Sequence, residues 1–222
     1  MKGQVSLENK EDGISAYKKY TSKKITLSII LLIMVLVLAV IAISAGSTNL
    51  TPYEVFKAII GQGENASNVV IWRIRLPRVL AAIIAGGGLA VAGGVMQNNL
   101  RNPLASPSTL GISNAAAFGA NIAIILLGAG GISSTAADAV TITNPYIVTV
   151  AAFVASMLAV FVILAISKLR GFMPESIILA GVALSSLFSA GTILIQYFAQ
   201  DVEVAAAVFW TFGDLGRISW TE

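Results

Sequence analysis

The stretch WRIRLPRVLAAIIAGGGLAVAGGVMQ, residues 72–97, places three arginines within six positions, directly before a long apolar run. The run begins at Val79 and contains no charged residue before Arg101. A helix needs about 20 apolar residues to cross the hydrocarbon core of a bilayer. The stretch therefore predicts a membrane-spanning helix with a cluster of cations at its entrance. The role of that cluster depends on the side of the membrane that it faces.

The composition of the whole chain extends this prediction. Of the 222 residues, 56% are hydrophobic and only 11% are charged, whereas about 25% are charged in a typical soluble domain. Several windows of about 20 residues carry no charge. We therefore predict an all-α fold, a polytopic transmembrane helical bundle in the cell membrane. The net charge is only +3 and the basic residues are scattered around apolar segments, which argues against nucleic acid as a partner.

The chain contains no cysteine and no histidine. Their absence excludes disulfides, thiolate or imidazole metal sites, and nucleophilic catalysis by these residues. The sequence also lacks a G-x-x-x-x-G-K-[ST] motif, so it has no Walker-type loop for ATP phosphates. We therefore predict no cofactor, no metal site and no catalytic residue, and a protein that is not itself an enzyme.

Five apolar segments are long enough to be predicted as spans. They cover about residues 25–45, 79–97, 108–128, 145–167 and 176–198. The first is too long for the apolar core of a signal peptide, and Ile43 stands where cleavage after Ala45 would require a small residue. It is therefore predicted to be an uncleaved span.

The distribution of cations predicts the orientation of these spans. The lysine-rich residues 1–24 are predicted to form a cytoplasmic tail, followed by a transmembrane domain over residues 25–222. Alternation then places residues 98–107 and 168–175 inside and residues 46–78 outside, as it does 129–144 and 199–222. On this count nine Lys/Arg lie inside and five outside, and three of those five are the arginines of the opening stretch. The cluster is thus a local exception to the positive-inside rule.

The first predicted outer loop contains a short amphipathic helix. Thr51-Pro52-Tyr53-Glu54 is a capping box with proline at the first helical position, and Gly61 ends the helix. Its apolar residues share one face: Val55, Phe56, Ile59 and Ile60. The helix either lies along the membrane interface or packs on its own protein as a soluble loop helix, and the sequence leaves both open.

The second predicted span has a face of small residues. Ala82, Gly86, Ala90 and Gly94 recur every four residues, a spacing that allows helix backbones to approach closely in lipid. We predict that this face packs against protein. The span ends at Gln97 and is followed by NPLASP, in which Pro103 and Pro107 prevent a continuous helix.

The fifth predicted span has a polar face. Gly181, Ser185, Ser189, Thr192 and Gln196 follow one another at helical spacings of four, four, three and four. Polar groups in spans often face cavities, so the last four are candidates for the lining of a translocation pathway. Equally, small and polar residues mediate helix packing through interhelical hydrogen bonds. The spacing alone does not separate these two interpretations.

The run RLPRVLAAIIAGGGLAVAGGVMQNNLRNPLASPSTLGISNAAAFGA, residues 75–120, resembles the permease subunits of type II ABC importers, which take up iron–siderophore complexes, haem or cobalamin. The resemblance rests on RLPR, a Gly/Ala-rich span ending in Gln97, NPLASP with Asn102 and Pro103, and LGIS. LAGVALS at 179–185 and the W-x-x-G at 210–213 follow in the same order. The resemblance covers about residues 50–220.

Such a resemblance implies about ten spans in each subunit, of which this chain would contain the N-terminal two-thirds. It also implies a dimer of permease subunits, homo- or heterodimeric, a cytoplasmic ABC ATPase subunit and an external substrate-binding protein. On this basis the chain is expected to be incomplete at its C-terminus.

The resemblance also assigns candidate residues. In the family the two arginines of RLPR meet acidic residues of the external binding protein, which implies a docking role for Arg75 and Arg78. Without the resemblance, these side chains would be interpreted as reaching lipid phosphates beside Trp72. The turn before the fifth span is implicated in gating, but it reads Pro174-Glu175-Ser176 where relatives often have small hydroxylic residues, so Pro174 and Glu175 are only gate candidates. Ala115 stands where relatives often have glycine.

The predicted function is that of the permease subunit of an ATP-driven importer, with iron–siderophore complexes as substrate. Between Val79 and Ser167 the only charged residues are Arg101 and Asp138, both in predicted loops. An ion-coupled carrier needs ionisable groups or broken-helix ion sites within its spans, whereas a permease driven by a separate ATPase does not. The alternatives are an ion-coupled carrier or channel with NPLASP as its site, and a membrane scaffold without transport.

Overall fold

The computed structural model describes residues 2–46, 50–63, 65–132, 140–142, 144–213, 215–218 and 220. In chain order the α-helices are α1 (Lys2–Ser44), α2 (Pro52–Ile59), α3 (Asn65–Val70), α4 (Leu76–Leu100), α5 (Ile112–Asn121), α6 (Pro145–Leu169), α7 (Pro174–Tyr197) and α8 (Asp201–Phe212). A π-helical turn, Ile71–Arg75, joins α3 to α4, and a second, Ile122–Leu126, extends α5. Short strands β1 (Gly130–Ile132) and β2 (Val140–Ile142) pair antiparallel, and a 3-10 turn at Leu215–Arg217 follows α8.

Four helical segments of the described residues are long and apolar enough to cross a membrane. They are Tyr17–Ser44, Ser67–Leu100, Pro145–Leu169 and Pro174–Tyr197. The prediction of an all-α polytopic bundle is confirmed, with the β1–β2 hairpin as a small addition. The predicted tail is helical from Lys2 and continues into the first span. Asp138, which the sequence analysis placed in a loop, lies outside the described residues.

The third predicted span, residues 108–128, is shorter than expected. The structure has an apolar helix over Ile112–Leu126, whose 15 residues extend about 22 Å at 1.5 Å per residue, whereas the hydrocarbon core is about 30 Å thick. The residues before it form turns: the Asn102 side-chain oxygen accepts a hydrogen bond from the Leu104 amide at 2.9 Å, and Gly111 has a left-handed φ of 75°. The turn at residues 108–111 uses residues that the hydropathy pattern assigns to the span.

The described residues form two compact units, Met1–Leu80 and Ala81–Glu222. In the first, a small core joins the end of α1, α2 and the π-helical turn through Ile43, Val55, Ala58 and Ile71. Burial of these side chains is the principal apolar contribution to this unit.

The second unit has two apolar clusters. One joins α5, its π-helical extension, α6 and α8, and Trp210 packs against it; its buried members include Ala120, Ile124, Val148 and Ala206. The other joins the NPLASP turn to the start of α7 through Leu100, Ala105 and Leu110, with Ile177 and Ile178 beside them. Alanines dominate the first cluster, so the helix backbones lie close together.

The capping box predicted for α2 is confirmed. The Glu54 amide donates to the Thr51 hydroxyl at 3.3 Å, and the Thr51 amide donates to Glu54 Oε2 at 2.7 Å. The backbone hydrogen bond, followed by the one from the Thr51 hydroxyl, lowers the pKa of Glu54 below its usual value. Gly61 has φ 78° and ends the helix as predicted.

Candidate functional site

The π-helical turn Ile71–Arg75 directs Arg75 at the end of α1. The Arg75 Nη1 donates to the carbonyl oxygens of Ile43, at 2.6 Å, and Ser44, at 2.9 Å. The side chain is only 7% exposed. A Cβ added at Gly46 would lie 2.5 Å from Arg75 Nη2, so glycine leaves room for the guanidinium.

These contacts have a simple electrostatic basis. The last carbonyls of a helix have no intrahelical partner, and the helix dipole gives that end a partial negative charge. A guanidinium has several fixed donors and always carries its charge, so it suits this position. The structure therefore gives Arg75 an internal role, which differs from the docking role predicted for it. Because the guanidinium is buried against α1, an external partner would meet other cations first.

The other two arginines of the cluster are different. Arg73 and Arg78 are both exposed. The exposed position of Arg78 is therefore compatible with the docking role predicted for it. Arg73 is also exposed, but the sequence predicts no role for it. Trp72, which was considered as a lipid contact, is half exposed and its indole Nε1 donates to the Ala58 carbonyl oxygen at 3.0 Å. The π-helical turn thus supplies donors to the last turns of both α1 and α2.

The polar face of α7 meets α5. The Asn114 Nδ2 donates to the Ser185 hydroxyl, and the Gln196 Nε2 donates to Asn121 Oδ1 at 2.9 Å. Asn121 is fully buried, and its own Nδ2 donates to the Ala117 carbonyl at 2.7 Å. These contacts support the interhelical-packing interpretation for Ser185 and Gln196.

Ser189 and Thr192 lie between those two hydrogen-bonded pairs and are half-buried. Near them, Phe118 of α5 lies against Phe188 with ring centroids 5.5 Å apart. A Cβ at Gly191 would be 2.7 Å from the Phe118 ring. The four predicted pathway residues are therefore on one helical face, and the two outer ones bind α5.

The structure identifies close helix contacts that the sequence analysis did not. A Cβ at Gly119 would lie 2.7 Å from the Ala155 Cβ and closer still to the Ala151 carbonyl oxygen. A Cβ at Gly111 would lie 2.8 Å from the Gly181 carbonyl oxygen. The signal available in the sequence was the small-residue run NAAAFGAN of α5. Ala115, noted as a departure from the family, is fully buried in the same helix.

The small face of α4 has no such contact among the described residues. A Cβ built at Gly86 or Gly94 finds no atom of the described chain within 4 Å. The prediction that this face packs on protein therefore has no partner in the part of the chain that the structure describes. It stays a prediction.

The remaining candidates lie at helix ends. The Asn102 backbone amide donates to the Gln97 backbone carbonyl at 3.1 Å, and the Asn102 backbone carbonyl accepts from the Ala105 backbone amide at 3.1 Å. Together with Pro103 they form the turn that ends α4.

The two gate candidates lie at the start of α7: Pro174 is its first residue and Glu175 is exposed in its first turn. Before them, Gly171 and Phe172 have φ of 66° and 57°, so the predicted gate turn is built on two left-handed residues. Within the described ranges, no group of three His, Cys, Asp or Glu residues could hold a metal ion.

Comparison with known proteins gives a consistent set of relatives. Residues 31–222 match the FecCD transport family. The chain is 57% identical over 206 residues to a protein of Methanocaldococcus jannaschii assigned as an ABC transporter permease, covering 93% of this chain and 58% of that protein. It is 31% identical over 210 residues to the Fe(3+)-citrate import system permease protein YfmE of Bacillus subtilis, covering 92% of this chain and 58% of the relative.

A vitamin B12 import system permease protein, BtuC of Citrobacter koseri, is 32% identical over 197 residues, which cover 89% of this chain and 53% of BtuC. Among solved structures, an inward-facing transporter assigned to the metal-chelate type of ABC transporters is similar at TM-score 0.68 and 28% identity. That match covers 88% of this chain and 56% of the solved one. The chain thus spans little more than half the length of the relatives that it matches.

Proposed function

Since the chain belongs to the FecCD transport family, we propose that it forms the membrane-spanning part of a permease subunit in an ATP-driven importer. The observation that carries the proposal is the family match over residues 31–222, combined with four helices that are long and apolar enough to cross a membrane. Its substrate is proposed to be an iron–siderophore complex. The Fe(3+)-citrate import relative supports an iron chelate, and the vitamin B12 import relative keeps cobalamin as the alternative.

The proposed partners are a cytoplasmic ABC ATPase subunit, an external substrate-binding protein, a second permease subunit and membrane lipid. We propose an energy source outside the chain because the described helices between Val79 and Ser167 carry no charged side chain, and Arg101 lies in the turn after α4. Such spans lack the ionisable groups that couple carriers to ion gradients. For the small face of α4, we propose a second permease subunit as the protein that packs on it.

The orientation has its own test. We propose that the N-terminus and residues 168–175 are cytoplasmic and residues 46–78 external. Because the chain has no cysteine, single cysteines can be placed at Ser22 and Gln62, which are both exposed. In intact cells an impermeant thiol reagent should label the cysteine at Gln62 and should label that at Ser22 only after lysis. Equal labelling of both before lysis would contradict this orientation.

Arg78 carries the proposed docking of the binding protein. A guanidinium at the protein surface attracts carboxylates, and a charge at the rim of an interface acts mainly on the association rate and its salt dependence. Arg78→Glu should therefore weaken binding of the external protein at low salt, with a smaller loss at high salt. Binding can be measured by surface plasmon resonance on protein in nanodiscs.

Two further results bear on this prediction. An acid-to-arginine change on the binding protein should restore part of the affinity lost in Arg78→Glu. If Arg78→Glu binds the external protein with unchanged affinity at low salt, Arg78 does not dock that protein, and contact with lipid phosphates is the interpretation that stands.

Ser189 and Thr192 are the remaining pathway candidates on α7. Ser189→Trp is expected to block uptake while leaving the amount of folded protein unchanged, because a large ring would fill a passage lined by this face. Ile193→Trp on the same helix is the matched control, since Ile193 is well exposed. Uptake by Ser189→Trp at the control rate would mean that this face only packs against α5.

The proposed function is tested by the energy source of uptake in cells. Uptake of labelled ferric siderophore should depend on the chain and should stop when ATP is depleted, while a protonophore that leaves ATP intact should not stop it. Uptake that survives ATP depletion but collapses with the ion gradient would favour an ion-coupled carrier. No chain-dependent uptake of any ferric chelate or of cobalamin would favour a scaffold.

A further inference from the structure

Helix α2 exposes a second apolar face that the described residues do not cover. Val55 and Ala58 are buried on one side of the helix. On the opposite side Tyr53, Phe56 and Ile60 are 65%, 62% and 54% exposed, so the prediction that Val55 shares one face with Phe56 and Ile60 is wrong. At 100° per residue these three side chains fall on one face together with Lys57. We call these four residues the outer face of α2.

The contacts of the buried side place α2 at a defined depth. Val55 and Ala58 pack with Ile43 and Ile71 in one cluster. Ile43 is the last residue but one of the candidate span Tyr17–Ser44, and Ile71 is the fifth residue of the candidate span Ser67–Leu100. Ile43 lies at the end of the apolar segment 25–45, so α2 is level with the place where hydrocarbon gives way to headgroups. Ile71 lies in the π-helical turn that precedes the apolar run from Val79.

Hydrogen bonds at both ends of α2 also fix its orientation. The Trp72 indole donates to the Ala58 carbonyl oxygen at 3.0 Å, and the capping box of Thr51 and Glu54 closes the other end. Both termini have hydrogen-bonding partners, so the helix is held as a formed element whose exposed side is set by its buried side. The outer face must then be in contact with whatever surrounds the spans at that depth.

The chemistry of the outer face matches a bilayer interface. Tyrosine and tryptophan are enriched at the headgroup level, and lysine extends its ammonium from an apolar stem toward phosphate. Here Lys57 Nζ lies 4.7 Å from the centroid of the Tyr53 ring, which places a cation beside an aromatic ring on a face that also contains Phe56 and Ile60. Three large apolar side chains exposed to water on so short a helix would carry a hydrophobic cost that lipid contact removes.

We propose that α2 is an interfacial membrane helix whose outer face lies on the bilayer, with Phe56 and Ile60 at the acyl boundary and Lys57 at the lipid phosphates. The occupant of this face is lipid. The helix then fixes the depth of the two spans that it touches. The inference does not depend on the proposed transport function or on which side of the membrane α2 occupies.

The test uses collision rates of a spin label. In the otherwise cysteine-free chain, Phe56→Cys, Ile60→Cys and Gln62→Cys are each labelled with a nitroxide, and the full chain is reconstituted in vesicles of phosphatidylcholine and phosphatidylglycerol. The label at Gln62 is the matched control, because this residue is exposed just beyond the helix. Oxygen concentrates in lipid and a neutral nickel chelate concentrates in water, so their collision rates report the surroundings of each label. A nitroxide-labelled phospholipid gives the value for the lipid.

The labels at Phe56 and Ile60 should show high oxygen and low nickel collision rates, close to those of the labelled lipid, while Gln62 shows the reverse. Labels at Phe56 and Ile60 with the water-like ratio of Gln62 would overturn the proposal in favour of a soluble loop helix. Low collision rates with both reagents would overturn it in favour of a protein that covers the face. Tyr53→Cys provides a second site with the same expected outcome if either variant fails to reconstitute.

Discussion

Replacing Arg75 by alanine is expected to destabilise the protein more than any other change in the arginine cluster. The guanidinium donates to the carbonyl oxygens of Ile43 and Ser44 and is almost fully buried. Hydrogen bonds to a charged group contribute about 1.5–3 kcal/mol, and the carbonyls left without a donor add to the loss. We expect a free energy of unfolding lower by about 3 kcal/mol, or a thermal midpoint lower by about 6–12 °C at 2–4 °C per kcal/mol.

The matched control for Arg75→Ala is Arg73→Ala, two residues earlier in the same π-helical turn. Arg73 is exposed, and surface substitutions usually change stability by less than about 0.5 kcal/mol. Thermal midpoints of the purified variants in detergent give the comparison. If Arg75→Ala keeps the midpoint of the unmodified protein but loses affinity for an external binding protein, then Arg75 docks that protein and does not hold α1.

The second large effect is expected at Gly119, where α5 approaches α6. A Cβ there would meet the Ala155 Cβ at 2.7 Å and would overlap the Ala151 carbonyl. Because both are parts of a packed helix, Gly119→Ala must push the helices apart, and overpacking costs about 1–3 kcal/mol. We expect a lower thermal midpoint and a smaller yield of folded protein.

Gly88→Ala is the control for this prediction. A Cβ at Gly88 meets no atom of the described residues within 4 Å, and an alanine in a helix interior is about 0.8–1 kcal/mol better than glycine. Gly88→Ala should therefore leave the midpoint unchanged or raise it. Equal midpoints for the two variants would mean that the α5–α6 contact is looser than the structure shows.

The elements that the sequence predicts well are those governed by local rules. The capping box at Thr51 and Glu54, the ends of α6 and α7 and the alignment of Ser185 with Gln196 follow from spacing within one segment. Each of these depends on the residues of a single helix, so tertiary contacts change them little.

The features that the sequence did not predict depend on contacts between segments. The resemblance predicts that Arg75 faces an external partner, but the π-helical turn directs it toward Ser44 of α1, 31 residues earlier in the chain. The predicted span at 108–128 has the hydropathy of a full span, and the turn that ends at Gly111 shortens its helix. The packing contacts of Ser185 and Gln196 depend on the positions of Asn114 and Asn121, which no spacing within α7 contains.

We propose that this chain forms part of a membrane pathway whose transport is driven by a separate ATPase. The most direct test of this proposal is uptake of a ferric siderophore into proteoliposomes that contain the chain, the second permease subunit, the ATPase and the binding protein, with ATP supplied to the ATPase side. We predict accumulation that requires hydrolysable ATP and stops when the ATPase is omitted. Accumulation driven by an imposed proton or sodium gradient, without ATP, would show an ion-coupled carrier instead.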